Sequence, residues 1–197
     1  MGANRRMYPA EWETVPGFVA HDWAAYRGET TLDQVAASMC ETCGILDGDS
    51  LIGTSLGGMV ACEIASLRKI PRLYLVSSAV RPDEVSALLT LLHPLARYTP
   101  LEWVKFSAGK IPAELAGMFA DMEPQFIRAM CSAIFEWEGL RAEGTRVFRI
   151  HGRHDRVIPP PPSTDLLLDG GHLIAMTLAA DCAGFIRAQE QAAPSVP

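Results

Sequence analysis

No stretch of the sequence approaches the roughly 18 uninterrupted apolar residues that a membrane-crossing helix needs, and the opening MGANRRMYPAEWE lacks the apolar core of a secretory leader. A membrane partner is therefore not expected, and a cytoplasmic location is. Basic residues are also scarce, with 17 Lys and Arg against 23 Asp and Glu and a net charge of −6. Nucleic acid binding requires a concentrated basic face, and none is visible, so that class of partner is not expected either. Cysteine is limited to five residues, an odd number that fits free thiols in a reducing compartment better than a disulfide framework. Cys40 and Cys43 form a C-x-x-C, but Leu32, Val35, Ala36, Met39, Cys40 and Cys43 recur at helical spacing along one face, and no second ligand pair lies nearby. Core packing is the expected role. His151 and His154 likewise lack carboxylate or cysteine partners at ligand spacing and read as loop or supporting residues, so no metal and no cofactor is expected.

What is present is an ordinary globular composition, 49% hydrophobic and 20% charged over 197 residues. A chain of that length buries a substantial core, and one domain over 1–197 is expected. Short apolar runs alternate with helical patterns. GFVAHDW at 17–23 reads as a first strand. A helix over 31–43 opens with a capping box from Thr31 to Gln34 and stops at Gly44. LI at 51–52 reads as a buried strand, LGGMVACEIASL at 56–67 as a helix, and RLYLVSS at 72–78 as a further strand. RVFRIHG and TDLLLDGG follow far downstream, and LIAMTLAADCAGFIRAQE closes the chain as one helix. Alternation of this kind implies an α/β fold, a mostly parallel sheet with helices on both faces. Between about 81 and 144 no strand is expected; this helical insert, broken by Pro94, Pro100, Pro112 and Pro124, is either a lid or a cover for the sheet.

The run SLIGTSLGG isolates Ser55 between Gly53 and Gly57 at a strand-to-helix junction. A reversal that sharp forces the serine into a strained backbone conformation, and glycines at 53 and 57 would relieve the clash, with Gly58 available for helix-to-strand packing. The hydroxyl then stands at the carboxyl edge of the sheet, at a helix N-terminus where the Leu56 amide can stabilise an oxyanion. A serine hydroxyl needs a base, and the base needs an acid to fix its tautomer. HGRHDRVIP places Asp155 after one strand, and DGGHL places His172 after the next, at the same edge where a parallel sheet collects its site. Asp169, three residues before His172, is the alternative acid, with strand-end placement favouring Asp155.

GTSLGG, HGRHDRVIP and GGHL, in the order Ser, Asp, His, resemble the α/β-hydrolase superfamily over about 17–186, and DWAAYRGETTL resembles a segment of its small bacterial members. The resemblance implies Ser55 as nucleophile, His172 as general base and Asp155 as its orienting acid, in an esterase or thioesterase acting on a small or medium acyl substrate. The alternative is a hydrolase-fold protein that binds a ligand or performs a lyase step without hydrolysis. Trp23, at the end of the first strand, and Trp103, Phe106, Phe119, Phe126 and Trp137 are candidates to line an acyl pocket, although helical aromatics more often belong to the core. The superfamily also implies a strand before GFVAHDW, lying centrally between it and SLIGT, followed by a glycine loop that supplies a second oxyanion donor. Nothing before Tyr8 can be that strand, which leads to the expectation that the sequence is N-terminally truncated, with a second donor near Gly2 or Ala3. The short link VIPPPPS leaves no room for a crossover helix, so the last strand is expected to be short or differently paired. Oligomeric state is left open, although unpaired strand edges would invite association.

Overall fold

The computed structural model describes residues 5–85 and 123–192. Four parallel strands form one sheet in the order β1-β2-β3-β4: β1 (Ser50–Thr54), β2 (Arg72–Val76), β3 (Arg146–Gly152) and β4 (Leu166–Leu168). Helix α1 (Leu32–Cys43) and helix α2 (Leu56–Leu67) precede and follow β1; α3 (Pro124–Glu136) precedes β3; α4 (Ile174–Thr177) and α5 (Ala179–Ala192) close the chain. Alternation along the strands divides the apolar residues into two cores. Leu73 and Leu75 face α1, α2 and α3, while Tyr74, Val76, Phe148 and Ile150 face Trp12 and α5. Trp12 is fully buried and donates its indole N–H to the Ala175 carbonyl at 2.8 Å, tying the first residues of the chain to α4. None of the described helices is long and apolar enough to cross a membrane.

Helix α2 is apolar on nearly every side, the pattern of a core helix rather than a surface one. Its one buried carboxylate, Glu63, accepts hydrogen bonds from Trp137 Nε1 at 2.8 Å and Arg141 Nη2 at 2.7 Å. Helix α1 ends as expected, with Gly44 in the left-handed conformation at φ 65°. Its start differs: Gln34 Oε1 accepts from the Thr30 amide at 2.8 Å, and the Thr31 hydroxyl makes no cap. The capping reach thus spans one residue more than the sequence pattern indicated. Cys40 is buried in the core of α1 and α2, and burial raises the thiols of both Cys40 and Cys43, so neither is poised as a thiolate.

Three further expectations need correction or refinement. Residues 17–23 join no sheet: Gly17 closes a turn at φ 72°, 18–23 form no regular element, and no described strand lies beside them to accept their hydrogen bonds. The closing helix is two, interrupted at Leu178, whose φ of −132° is not helical. The proline-rich link does produce a last strand of three residues, paired in parallel with β3. Of the helical insert, residues 86–122 lie outside the described residues.

The β1–α2 junction is the tightest point of the fold. Ser55 has φ 53° and ψ −124°, a left-handed conformation that costs a side-chain-bearing residue on the order of 1–3 kcal/mol. A Cβ on Gly53 would meet Gly57 O at 2.6 Å and the Gly58 backbone, and a Cβ on Gly58 would meet the side chain of Ser78. A Cβ on Gly57 meets nothing within 4 Å. The sterically required pair is therefore Gly53 and Gly58, a correction to the 53 and 57 pairing. Beyond β2, Ser78 donates its hydroxyl to the Ser55 carbonyl at 2.7 Å. Arg149 clamps that region, donating to Glu84 from Nη1 at 2.8 Å and Nη2 at 2.7 Å and to the Ser78 carbonyl from Nη2 at 3.2 Å. Burial alone would raise the Glu84 carboxyl, but its bonds to Arg149 and the Val80 amide outweigh that and hold it below the usual range.

Two outcomes follow. Gly58→Ala is expected to cost about 1–3 kcal/mol in urea unfolding through overpacking against Ser78, while Gly57→Ala is neutral or gains up to about 1 kcal/mol from helix propensity; equal losses would refute the assignment. His151, fully buried in β3, is held neutral because burial pushes its imidazole from 6.5 down to about 4. Below pH 6.5 the unfolded chain takes up a proton that the native state refuses, so stability present above that pH is lost as pH falls toward 4, by about 3 kcal/mol. His151→Gln should flatten that slope relative to the parent protein, and parallel slopes would contradict it.

Candidate active site

The carboxyl edge of the sheet brings together side chains from three of its strand ends. Ser55 follows β1, Asp155 follows β3, and His172 follows β4. His172 Nε2 lies 2.9 Å from Ser55 Oγ, and His172 Nδ1 lies 2.8 Å from Asp155 Oδ2. The three groups form one continuous hydrogen-bonded line. Its acid end is buried, with the Asp155 side chain inaccessible, and its histidine retains 18% exposure. Polarity along the line is set by Asp155: its second oxygen, Oδ1, accepts the amides of Val157 at 2.9 Å and Ile158 at 3.0 Å. Those bonds fix the carboxyl group; in the tautomer whose Nδ1 donates to Oδ2, Nε2 is left to accept from the serine hydroxyl.

Local sequence explains why the loops arrive together. Gly152 sits where a Cβ would strike the carbonyls of Gly170 and Gly171, so the loops after β3 and β4 pack backbone to backbone. The His154 amide bonds the Gly170 carbonyl at 2.9 Å, and the Asp155 amide closes a turn on Gly152 O at 3.1 Å. Asp169, the alternative acid, instead pairs with exposed His154 at 2.9 Å. The Leu56 amide heads α2 beside Ser55, where the first turn of a helix leaves its N–H groups without an intrahelical acceptor.

A groove of about 800 Å³ opens at Ser55 and His172 and runs the length of β1. Trp23, Tyr8 and Leu173 are among the residues that line it. The Tyr8 hydroxyl lies 3.1 Å from Thr54 Oγ1, and burial raises the phenol above its ordinary range against the opposing pull of that bond. Trp137 is not part of this groove. It is buried against α2, with its indole on Glu63, which corrects its candidacy as a substrate contact. Phe126 packs on Trp23 and Tyr26 in the core, at ring separations of 5.5 and 5.7 Å. Gly2, Ala3, Trp103, Phe106 and Phe119 lie outside the described residues. Ser78, Tyr8 and the Val157 and Ile158 amides were not singled out from sequence; a hydroxyl or amide that acts through a tertiary contact carries no local signal.

No family model and no curated protein matches the chain. Solved structures do. A hydrolase from Pseudomonas aeruginosa superposes with a TM-score of 0.73 at 16% identity, covering 97% of this chain and 87% of that one. An enol-lactonase from Burkholderia xenovorans LB400 gives 0.71 at 17% identity, covering 96% and 88%. A thermophilic esterase from Thermogutta terrifontis gives 0.63 at 18% identity, covering 95% and 85%. With its parallel sheet, its strained serine at the strand-to-helix turn and these structural neighbours, the chain has the α/β-hydrolase fold in a shortened form.

Proposed function

We propose that the protein is a serine hydrolase that cleaves a small or medium acyl ester or thioester through an acyl-enzyme on Ser55. The observation that carries this reading is the hydrogen-bonded line from Ser55 Oγ through His172 to Asp155, built on a strained turn. Neighbours of the same fold that are described as an esterase and lactonases support it.

In this mechanism His172 Nε2 removes the proton as Ser55 Oγ attacks the carbonyl carbon. The imidazolium that forms is stabilised by Asp155, whose carboxyl group the Val157 and Ile158 amides hold in orientation. Charge developing on the carbonyl oxygen is met by the Leu56 amide at the N-terminus of α2. His172 then hands its proton to the leaving oxygen or sulfur, and the acyl group stays on Ser55. Water, deprotonated by the same histidine, attacks the acyl-enzyme and releases the acid. A second oxyanion donor is assigned to Gly2 or Ala3; one such donor is worth on the order of 3 kcal/mol, about a hundredfold in rate. The part of the groove lined by Trp23 and Leu173 receives the acyl substituent. This chemistry draws on side chains and backbone amides alone.

Hydrolysis of p-nitrophenyl butyrate is the direct assay. Ser55→Ala should lower kcat by about ten-thousandfold or more, to the residual set by binding, and Asp155→Asn by a similar factor, because it favours the wrong histidine tautomer. Ester turnover that survives Ser55→Ala would refute the reading. Undiminished ligand binding without turnover in the parent protein would establish the non-hydrolytic alternative.

A further inference from the structure

The inner edge of the sheet ends in a slot. β1 pairs with β2 along one side only, and among the described residues nothing bonds its other side. The Ser55 amide bonds Val76 O at 3.1 Å, so by the alternation of a parallel ladder the backbone groups of Ile52 and Thr54 turn away from β2. They face the groove of about 800 Å³, which residues 17–21 also line. Apolar side chains line both flanks of this slot, with Arg72 and Glu190 also lining it beside Ser50. Met39, Val60 and Ile64 line it from the α1 and α2 side, and Tyr8, Phe18 and Ile186 line it from the other. Leu51 packs toward the first flank and Ile52 toward the second.

This combination is specific. A lipid or acyl tail would satisfy the apolar flanks but leave the Ile52 and Thr54 N–H and C=O groups without partners, at a cost for each desolvated group. An extended peptide satisfies both, adding a backbone ladder to β1 and a side chain to each flank in alternation. A strand buried on both faces reads as a near-continuous apolar run, so that is the composition the slot selects. Its length follows from β1, whose five residues span about 16 Å. We propose that the slot along β1 is an acceptor site for one extended apolar peptide strand, which completes the sheet beside Thr54 and so borders Ser55. The interaction does not depend on the hydrolytic reading, since binding is measurable without turnover.

The test uses the full chain and a capped synthetic peptide of alternating valine and leucine, matched in length to β1, with a terminal lysine at each end. Amide hydrogen exchange is followed residue by residue, with a control peptide of the same sequence N-methylated throughout its apolar run. At ten times the dissociation constant, exchange at Ile52 and Thr54 should slow about tenfold, with Leu51 and Gly53, already paired to β2, changing little. The N-methylated peptide should give no protection, because it retains the apolar side chains but its methyl groups block the backbone approach that a ladder with β1 requires. Equal protection by both peptides would reduce the slot to a hydrophobic cavity and overturn the proposal. Absence of protection by either peptide would overturn it too, as would a dimer by light scattering whose β1 edge is already protected without peptide.

Discussion

The close approach of α2 to the end of β1 is the constraint on which the site rests. Gly53 and Gly58 pass each other with no space for a side chain, and Ser78 fills the remaining gap with its hydroxyl on the Ser55 carbonyl. Ser55 is left in a left-handed conformation that costs on the order of 1–3 kcal/mol. That strain persists because the helix carrying it is embedded: Leu56, Met59, Val60 and Ile64 are all buried, and relaxing the turn would expose them. The buried Arg149–Glu84 pair holds the next strand end, and with it Ser78, against the same turn. Removing either partner would leave an uncompensated charge in the interior.

From that fixed serine the remainder of the site is a matter of strand order. β2 separates β1 from β3, so Ser55 and Asp155 cannot meet directly and require a bridging group. The loop after β4 supplies it by folding back across the β3 loop at Gly152, where only a glycine allows the two backbones to touch. His172 therefore spans the end of the sheet, with one ring nitrogen over each neighbour. Fully buried His151 lies beneath this line and stays neutral, so it adds no competing positive charge beside His172.

Much of this architecture was legible in the primary structure where chemistry is local. The periodicity of α1 and α2, the apolar runs of β2 and β3, and the Ser, Asp and His positions at strand ends all depend on neighbours within a few residues. Gly44 as a helix stop belongs to the same class. What was misread depends on distant partners. GFVAHDW has the composition of a strand, yet a strand exists only beside another, and no described strand lies beside it. Trp137 looked like a pocket aromatic, but its indole N–H is drawn to Glu63, 74 positions away in the chain. Gly58 packs helix to strand as its position suggested, but Gly57, expected to relieve the turn, has open space around it, a difference that only the positions of Ser78 and Gly53 reveal.

The central claim is that Ser55 is activated by His172 and Asp155, and covalent capture reads it most directly. Treatment with a fluorophosphonate probe, followed by mass-spectrometric peptide mapping, should place the adduct on Ser55 and on no other serine, with labelling lost in His172→Ala. A folded protein whose Ser55 remains unmodified, or is modified equally with His172 removed, would contradict the account.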